Sequence, residues 1–232
     1  DTLQLDMLGS SGKQLQAAAH VVVDLYGFVS VEGDFAIQTR TANVTLADLA
    51  STPNVNEAAN PVAVDLLTLG ASNVHAFAGL NGGTADALGL ELSGANFAIA
   101  LMTSQADATQ KWTSVKADAA GVEFVGISAI TMAATDIDVV MNRAGVAGQP
   151  VVDFAASNLE VTVGTNGEKV IFDIDGARGQ TTAVKIGRAT LAISDYVYVS
   201  GGFYFEQTAN VLVDVVTGLS SNDALLPASV RR

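Results

Sequence analysis

Cysteine is absent from the 232 residues. That removes disulfides, thiolate metal sites and cysteine nucleophiles, and it leaves the redox compartment open. Basic residues are few, 11 against 24 acidic ones, giving a net charge of −13 and a pI near 4.2. A surface this acidic argues against nucleic acid and anionic membranes as partners, since both need a basic patch. Charged residues in total reach only 15% and aromatics 6%. Long apolar runs are missing too: the most apolar stretch, 17–31, is broken by His20 and Asp24, so no helical membrane span is expected. No GxGxxG, P-loop or GxSxG pattern occurs, which leaves nucleotide binding and a serine-hydrolase elbow without support. No basic-then-apolar leader follows Asp1, so any export signal is expected to be removed or to lie outside this stretch.

What the chain does have is hydrophobic content of 49% and a mean hydropathy of +0.36, far from a disordered composition. It also repeats itself. Val29, Val31, Gly33, Phe35 and Ile37 return as Val197, Val199, Gly201, Phe203 and Phe205 at an offset of 168, and Thr41-Ala42-Asn43-Val44 returns unchanged as Thr208-Ala209-Asn210-Val211 at 167. Leu5, Asp6, Met7, Gly9 and Gly12 match Phe172, Asp173, Ile174, Gly176 and Gly179. Residues 3–46 therefore read as a second copy of 170–213. The chain divides into 1–46, the end of one repeat; 47–213, a full repeat; and 214–232, the ragged start of the next. A period this long points to a tandem array.

From Leu15 to Ile37 the odd positions are apolar or glycine, while the even ones carry Gln16, His20, Asp24, Ser30, Glu32 and Asp34. Such alternation marks a half-buried strand. It predicts Val29, Val31, Phe35, Ile37, Val197, Val199, Phe203 and Phe205 as core, with Glu32 and Asp34 in water, and Tyr26-Gly27 and Gly33-Asp34 as bends or bulges. Further on, a motif of small residues followed by Asn or Asp recurs around Asn73, Asn96, Asp136 and Asn158, in steps of 23, 40 and 22. Asn tolerates left-handed backbone, so these read as tight corners. Loops are expected at 79–86, 103–111, 143–150 and 164–169, and short helical turns only within 58–67 and 220–226. The fold class is all-β, an elongated repeat architecture. Steps near 22 favour a solenoid-like stack, with an antiparallel sandwich or roll as the alternative.

Two pairs of carboxylates, Asp136/Asp138 and Asp173/Asp175, stand at i, i+2. That spacing suits a Ca²⁺ ion or an acid–base pair. The counterpart of Asp175 in the other copy is Leu8, which weighs against catalysis, so calcium is the only cofactor considered for these four residues. His20 and His75 read as solvated or satisfied strand residues. Tyr196, Tyr198 and Tyr204 are expected on the polar side of their strand, against a neighbouring layer or a sugar ring.

In order along the chain, GFVSVEGDFAIQ, LLTLGASNVHAFAGLNGG, LGLELSGANFAIALM, WTSVKA, FVGISAITMAATDIDVVMN and VVDFAASNLEV resemble the long repeats of giant repetitive bacterial surface or secreted proteins. The resemblance implies an extracellular, adhesin-like or matrix-like array, with calcium-binding modules elsewhere in such polypeptides. It transfers no functional residue. The expected function is a structural, non-enzymatic repeat of an extracellular surface, stalk or filament protein. Its expected partners are neighbouring copies of the same repeat, end to end, and cell-surface glycans, with no nucleic acid and no membrane insertion. A carbohydrate-binding β module or a β-helical polysaccharide-active enzyme is the alternative.

Overall fold

The computed structural model describes residues 13–48, 61–146 and 148–208, and the backbone of 212–214 and 229–231. The first-copy residues 3–12 and the proposed helical turn at 220–226 lie outside the described residues, as does the 58–60 part of the other.

The fold is all-β. Eight strands form one antiparallel sheet: β1 (Leu15–Leu25), β2 (Val29–Val44), β3 (Val62–Leu80), β4 (Leu88–Ser104), β5 (Lys111–Val125), β6 (Ile130–Ala144), β9 (Thr181–Ile193) and β10 (Val197–Gln207), in that spatial order. Most consecutive strands are joined by short turns, the shortest spanning Tyr26–Phe28 and Ser194–Tyr196; β2 and β3 are joined through 45–61, of which 49–60 lie outside the described residues. Among the described residues the longest excursion, 145–180, leaves β6 and returns as β9. It holds a single helical turn α1 (Phe154–Ser157), the small hairpin β7 (Glu160–Thr162) and β8 (Lys169–Ile171), and a 3-10 turn at Gly176–Arg178. A further pair, β11 (Leu212–Asp214) and β12 (Ser229–Arg231), stands apart from the main sheet.

The solenoid expectation is thereby corrected: every pairing in the main sheet is antiparallel. The supposed corners at Asn73, Asn96 and Asp136 lie inside strands. The left-handed backbone inferred there is real at Asn73 (φ 51°) and Asp136 (φ 54°), and at Asn158 (φ 45°), which caps α1. Beside Asn96, Gly94 takes that conformation instead, at φ 58°. These are mid-strand irregularities and they line up. Asn73 is skipped in the β3–β4 ladder, Gly94 faces Ala120, and Asp136 faces Gly187. A Cβ on Gly187 would sit 2.7 Å from the Asp136 Cβ, so glycine is needed there. Helical turns at 62–67 are likewise excluded, because these residues begin β3.

The 145–180 excursion covers one face of one end of the sheet. The core lies between them, with Val64, Leu66, Ala98, Ala100, Met102 and Trp112 from the sheet and Val151, Val152, Phe154, Leu159, Val161 and Phe172 from the covering layer. The layer is tied down by backbone and side chain alike. Leu46 bridges Val152, Ala47 N–H donates to the Val151 carbonyl (2.9 Å), and Thr45 N–H donates to Ser157 Oγ (2.8 Å). The buried Trp112 indole donates to the Pro150 carbonyl (2.9 Å), and buried Asn142 donates to the Val152 carbonyl (2.7 Å) while accepting from Ser114 (3.0 Å). These bonds satisfy polar groups that burial would otherwise penalise. Phe154 and Phe172 pack with ring centroids 5.1 Å apart. β7 crosses the sheet over Gly70, where a Cβ would collide with the Thr162 carbonyl.

Against expectation, the odd positions of β2 and β10 are not core. Val29, Ile37, Val197, Val199, Phe203 and Phe205 are exposed, Val31 and Phe35 half-buried, and the buried β2 residues are Gly33, Ala36 and Val44. Glu32 is exposed as expected and Asp34 is half-exposed. The physical reason is that the covering layer sits on the opposite side of the sheet, against Val44, Val64 and Leu66.

Candidate interaction surfaces

Directly opposed residues in an antiparallel ladder share a face, so the registers map each face across the whole sheet. On the side away from the layer, one row runs Leu25, Val29, Ala78, Leu90, Phe124, Met132, Leu191, Val199. A second runs Val23, Val31, Ala76, Leu92, Val122, Ala134, Ala189, Gly201, and a third runs Ala19, Phe35, Ala71, Phe97, Ala117, Val139, Val184, Phe205. None of the three rows contains a charged or hydrogen-bonding side chain. The β1–β2 ladder is regular along its whole length, so Ala19, Val23 and Leu25 place all three rows on one side.

The irregularity at mid-strand is what keeps this side apolar. In β4 its residues are the even Leu88, Leu90 and Leu92 before Gly94 and the odd Phe97, Ile99 and Leu101 after it. A displaced residue inverts the alternation in this way, and the same switch occurs in β6 at Asp136.

No described segment covers these rows. Leu90 is 48% exposed, Met132 47% and Val199 57%, and a shallow apolar depression of about 330 Å³ lies among Leu90, Val122, Met132, Leu191 and Phe203. At about 4.8 Å between strands and 3.3 Å per residue, the three rows cover roughly 34 Å across and about 20–23 Å along, on the order of 700–800 Å². Lone soluble proteins rarely leave an apolar patch above about 600 Å² in water. The reverse face of this same end is polar: the row through Asp24, Ser30, Phe77, Glu91, Glu123, Ala133, Thr190 and Ser200 carries three carboxylates.

The sheet ends in two edges. Among the described residues, β1 pairs only with β2 and β10 only with β9. Both terminal hairpins turn in the same way at an offset of 168. Phe28 N–H donates to the Leu25 carbonyl (3.0 Å) and Tyr196 N–H to the Ile193 carbonyl (3.1 Å). Tyr26 and Ser194 each adopt positive φ, at 54° and 44°. Leu25 faces Val29 as Ile193 faces Val197. The copies differ at the second turn residue, where Gly27 has φ 70° and its counterpart Asp195 is not at positive φ, and again past the turn, where β9–β10 shifts register between Gly201 and Phe203 and β1–β2 does not.

The four candidate calcium ligands are dispersed. Asp138 pairs with Lys185 (3.1 Å) and Asp173 with Lys116 (2.8 Å), and the hydrogen bond from Lys116 holds the Asp173 carboxyl below its usual range. Asp175 caps the 3-10 turn by accepting from Ala177 N–H (2.9 Å), and Asp136 occupies the left-handed position opposite Gly187. Among the described residues no three His, Asp or Glu side chains are grouped to hold a metal ion. His20 is engaged by Asp34 (3.1 Å) and Glu32 (3.4 Å). Tyr196, Tyr198 and Tyr204 are all exposed, and Tyr204 donates to Glu206 (2.9 Å). Among the described residues no helix is long and apolar enough to cross a membrane. Sequence reasoning found the apolar side of β2 and β10 but placed it in the core, and it missed the extension of this side over β3 to β9, although a signal was present as paired apolar residues on both parities, such as Leu66-Leu67 and Leu101-Met102. No protein-family model, curated protein or solved structure matches the chain.

Proposed function

We propose that the chain is a structural tandem-repeat segment of an extracellular surface, stalk or filament protein, acting by end-to-end association without catalysis. One observation carries this reading: closely similar hairpins, alike in sequence and in turn geometry, stand at the two opposite edges of a single sheet. A chain whose two ends repeat each other presents heterologous contacts, which propagate instead of closing. Apolar edge strands such as β10 favour pairing over exposure to water. The acidic charge suits solubility of such an array, and the resemblance to giant repetitive surface proteins supports an extracellular setting. Calcium bound through Asp136, Asp138, Asp173 or Asp175 forms no part of this mechanism.

Light scattering across a dilution series, with electron microscopy of the most concentrated sample, tests the proposal. The expected result is elongated species that grow with concentration. A compact monomer at every concentration overturns it.

A carbohydrate-binding role is the second reading, favoured by the exposure of Tyr198 and Tyr204 on one strand. Six residues of extended chain separate them by about 20 Å. That distance is too long for a single ring to stack on both, so the array reading is preferred.

A further inference from the structure

Resting on the array reading above, the two sheet edges carry a more specific assignment. In the sequence repeat, Val21–Leu25 of β1 stand where Ala189–Ile193 of β9 stand. β9 uses both of its edges, one on β10 and the other on β6, with Ile193 facing Ile130 and Ala189 facing Ala134. β1 uses the first edge on β2, and no described strand occupies the second. The opposite end is complementary. β10 is the copy of β2, and β2 also uses both edges, one on β1 and the other on β3, with Val31 facing Ala76 and Val29 facing Ala78. Among the described residues β10 uses only the edge towards β9. Each terminal hairpin thus leaves open the one edge that its copy uses inside the sheet.

We propose that the open edge of β10 is the seat for β3 of the following repeat, so that one hairpin serves two successive repeats: the β9–β10 hairpin of one is the β1–β2 hairpin of the next. The array is then one uninterrupted antiparallel sheet with a period of six strands, β3, β4, β5, β6, β9 and β10. It advances by roughly 29 Å per repeat at about 4.8 Å per strand. The register follows from the inner copy: Val199 faces Ala76 of the following copy, and Val197 faces its Ala78. The apolar rows then cross each junction without a polar interruption, since Val29 and Val31 have apolar counterparts in Val197 and Val199. The covering layer follows the same rule. Thr45–Ala47 bond the 151–153 segment, whereas their copies, Leu212–Asp214, pair here with Ser229–Arg231, a pairing that the 151–153 segment of the following repeat replaces. Internal edges disappear in such an array, which removes the hazard of unpaired apolar strands everywhere except at its two ends.

The test uses an extended chain in which residues 1–213 run directly into a second 47–232, so that the second unit has no β1–β2 hairpin of its own. Val199→Cys in the first unit and Ala76→Cys in the second report the junction, and the absence of native cysteine leaves this as the only intramolecular disulfide available, read as the monomer band at low protein concentration. The pair Val31→Cys and Ala76→Cys in the unextended chain calibrates the geometry, and Val199→Cys with Leu92→Cys of the second unit, on β4 one strand beyond Ala76, is the out-of-reach control. The expected result is a disulfide at the first pair and none at the control, with the second unit as resistant to protease as the first. A companion protein, 1–232 followed by 13–232, gives the second unit its own hairpin. If the second unit is digested in the shared-hairpin protein but resists in the companion, the shared hairpin is refuted. Failure of the 199–76 disulfide with both units folded refutes it too. In either case, concentration-dependent elongation of the unextended chain leaves the array reading standing, whereas a compact monomer there removes both.

Discussion

Leu66 and Leu101 lie on adjacent strands, one residue out of register, and differ in the face they occupy. Leu66 faces Met102 under the covering layer and is 2% exposed; Leu101 faces Leu67 on the other side and is 42% exposed. Truncating Leu66 to Ala removes three buried carbons and leaves a void beneath the layer, so the expected loss is about 2–5 kcal/mol. For Leu101→Ala the same three carbons at about 0.8 kcal/mol each give roughly 2.4 kcal/mol for a fully buried side chain. With two fifths of the residue already in water, and the vacated space opening to solvent, the expected loss is about 1–1.5 kcal/mol. Urea unfolding read by fluorescence measures both, because the single tryptophan, Trp112, is buried at the junction of sheet and layer. Midpoints are compared at matched slopes and at the lowest usable protein concentration. Equal losses for the two variants at that dilution would refute an uncovered apolar face in the single chain. A Leu101→Ala loss that grows with concentration would show that copies of the chain cover it.

The remaining predictions concern the layer, the mid-strand irregularity and pH. Trp112→Phe leaves the half-buried Pro150 carbonyl without its indole donor and trims a buried ring, and is expected to cost about 1–3 kcal/mol, with hydrogen-exchange protection lost first over 151–174. Asp136→Gly keeps the left-handed backbone and is expected to be close to neutral. Asp136→Val, and equally Asn73→Val, forces a β-branched residue into positive φ and is expected to cost at least about 1–2 kcal/mol, read as a lower melting temperature. Because the Lys116 hydrogen bond depresses the folded Asp173 pKa, its contribution is complete above the unfolded value near ~3.9 and is lost as pH falls through the lower folded value. The side chain is 73% exposed, so the effect is no more than about 0.5 kcal/mol after solvent screening, and Asp173→Asn should remove that acid-limb dependence in a stability–pH titration.

Strand content, the positions of most turns and the internal copy were legible in the sequence because each is a local matter. Polar stretches such as 81–86, with two glycines, and 105–110 interrupt apolar alternation where the chain turns. The offset of 168 survives as matching turns at Tyr26–Phe28 and Ser194–Tyr196. Even here a local signal misled: a three-residue turn preserves odd–even parity, so β1 and β2 read as one long strand with a bend. The left-handed backbone was read correctly at Asn73, Asp136 and Asn158, and not at Asn96, where Gly94 adopts it instead. Nothing local distinguishes a corner between coils from an irregularity inside a strand, and that ambiguity produced the solenoid expectation. Which side of the sheet is inside was decided only by tertiary structure. Leu66 and Leu67, or Leu101 and Met102, are equally apolar and point to opposite faces. Alternation is further inverted in mid-strand at positions such as Gly94 and Asp136. Burial is assigned by where residues 145–180 come to rest: Trp112, Asn142 and Leu46 hold that segment by contacts from distant parts of the chain. No periodicity within a strand encodes contacts of that kind.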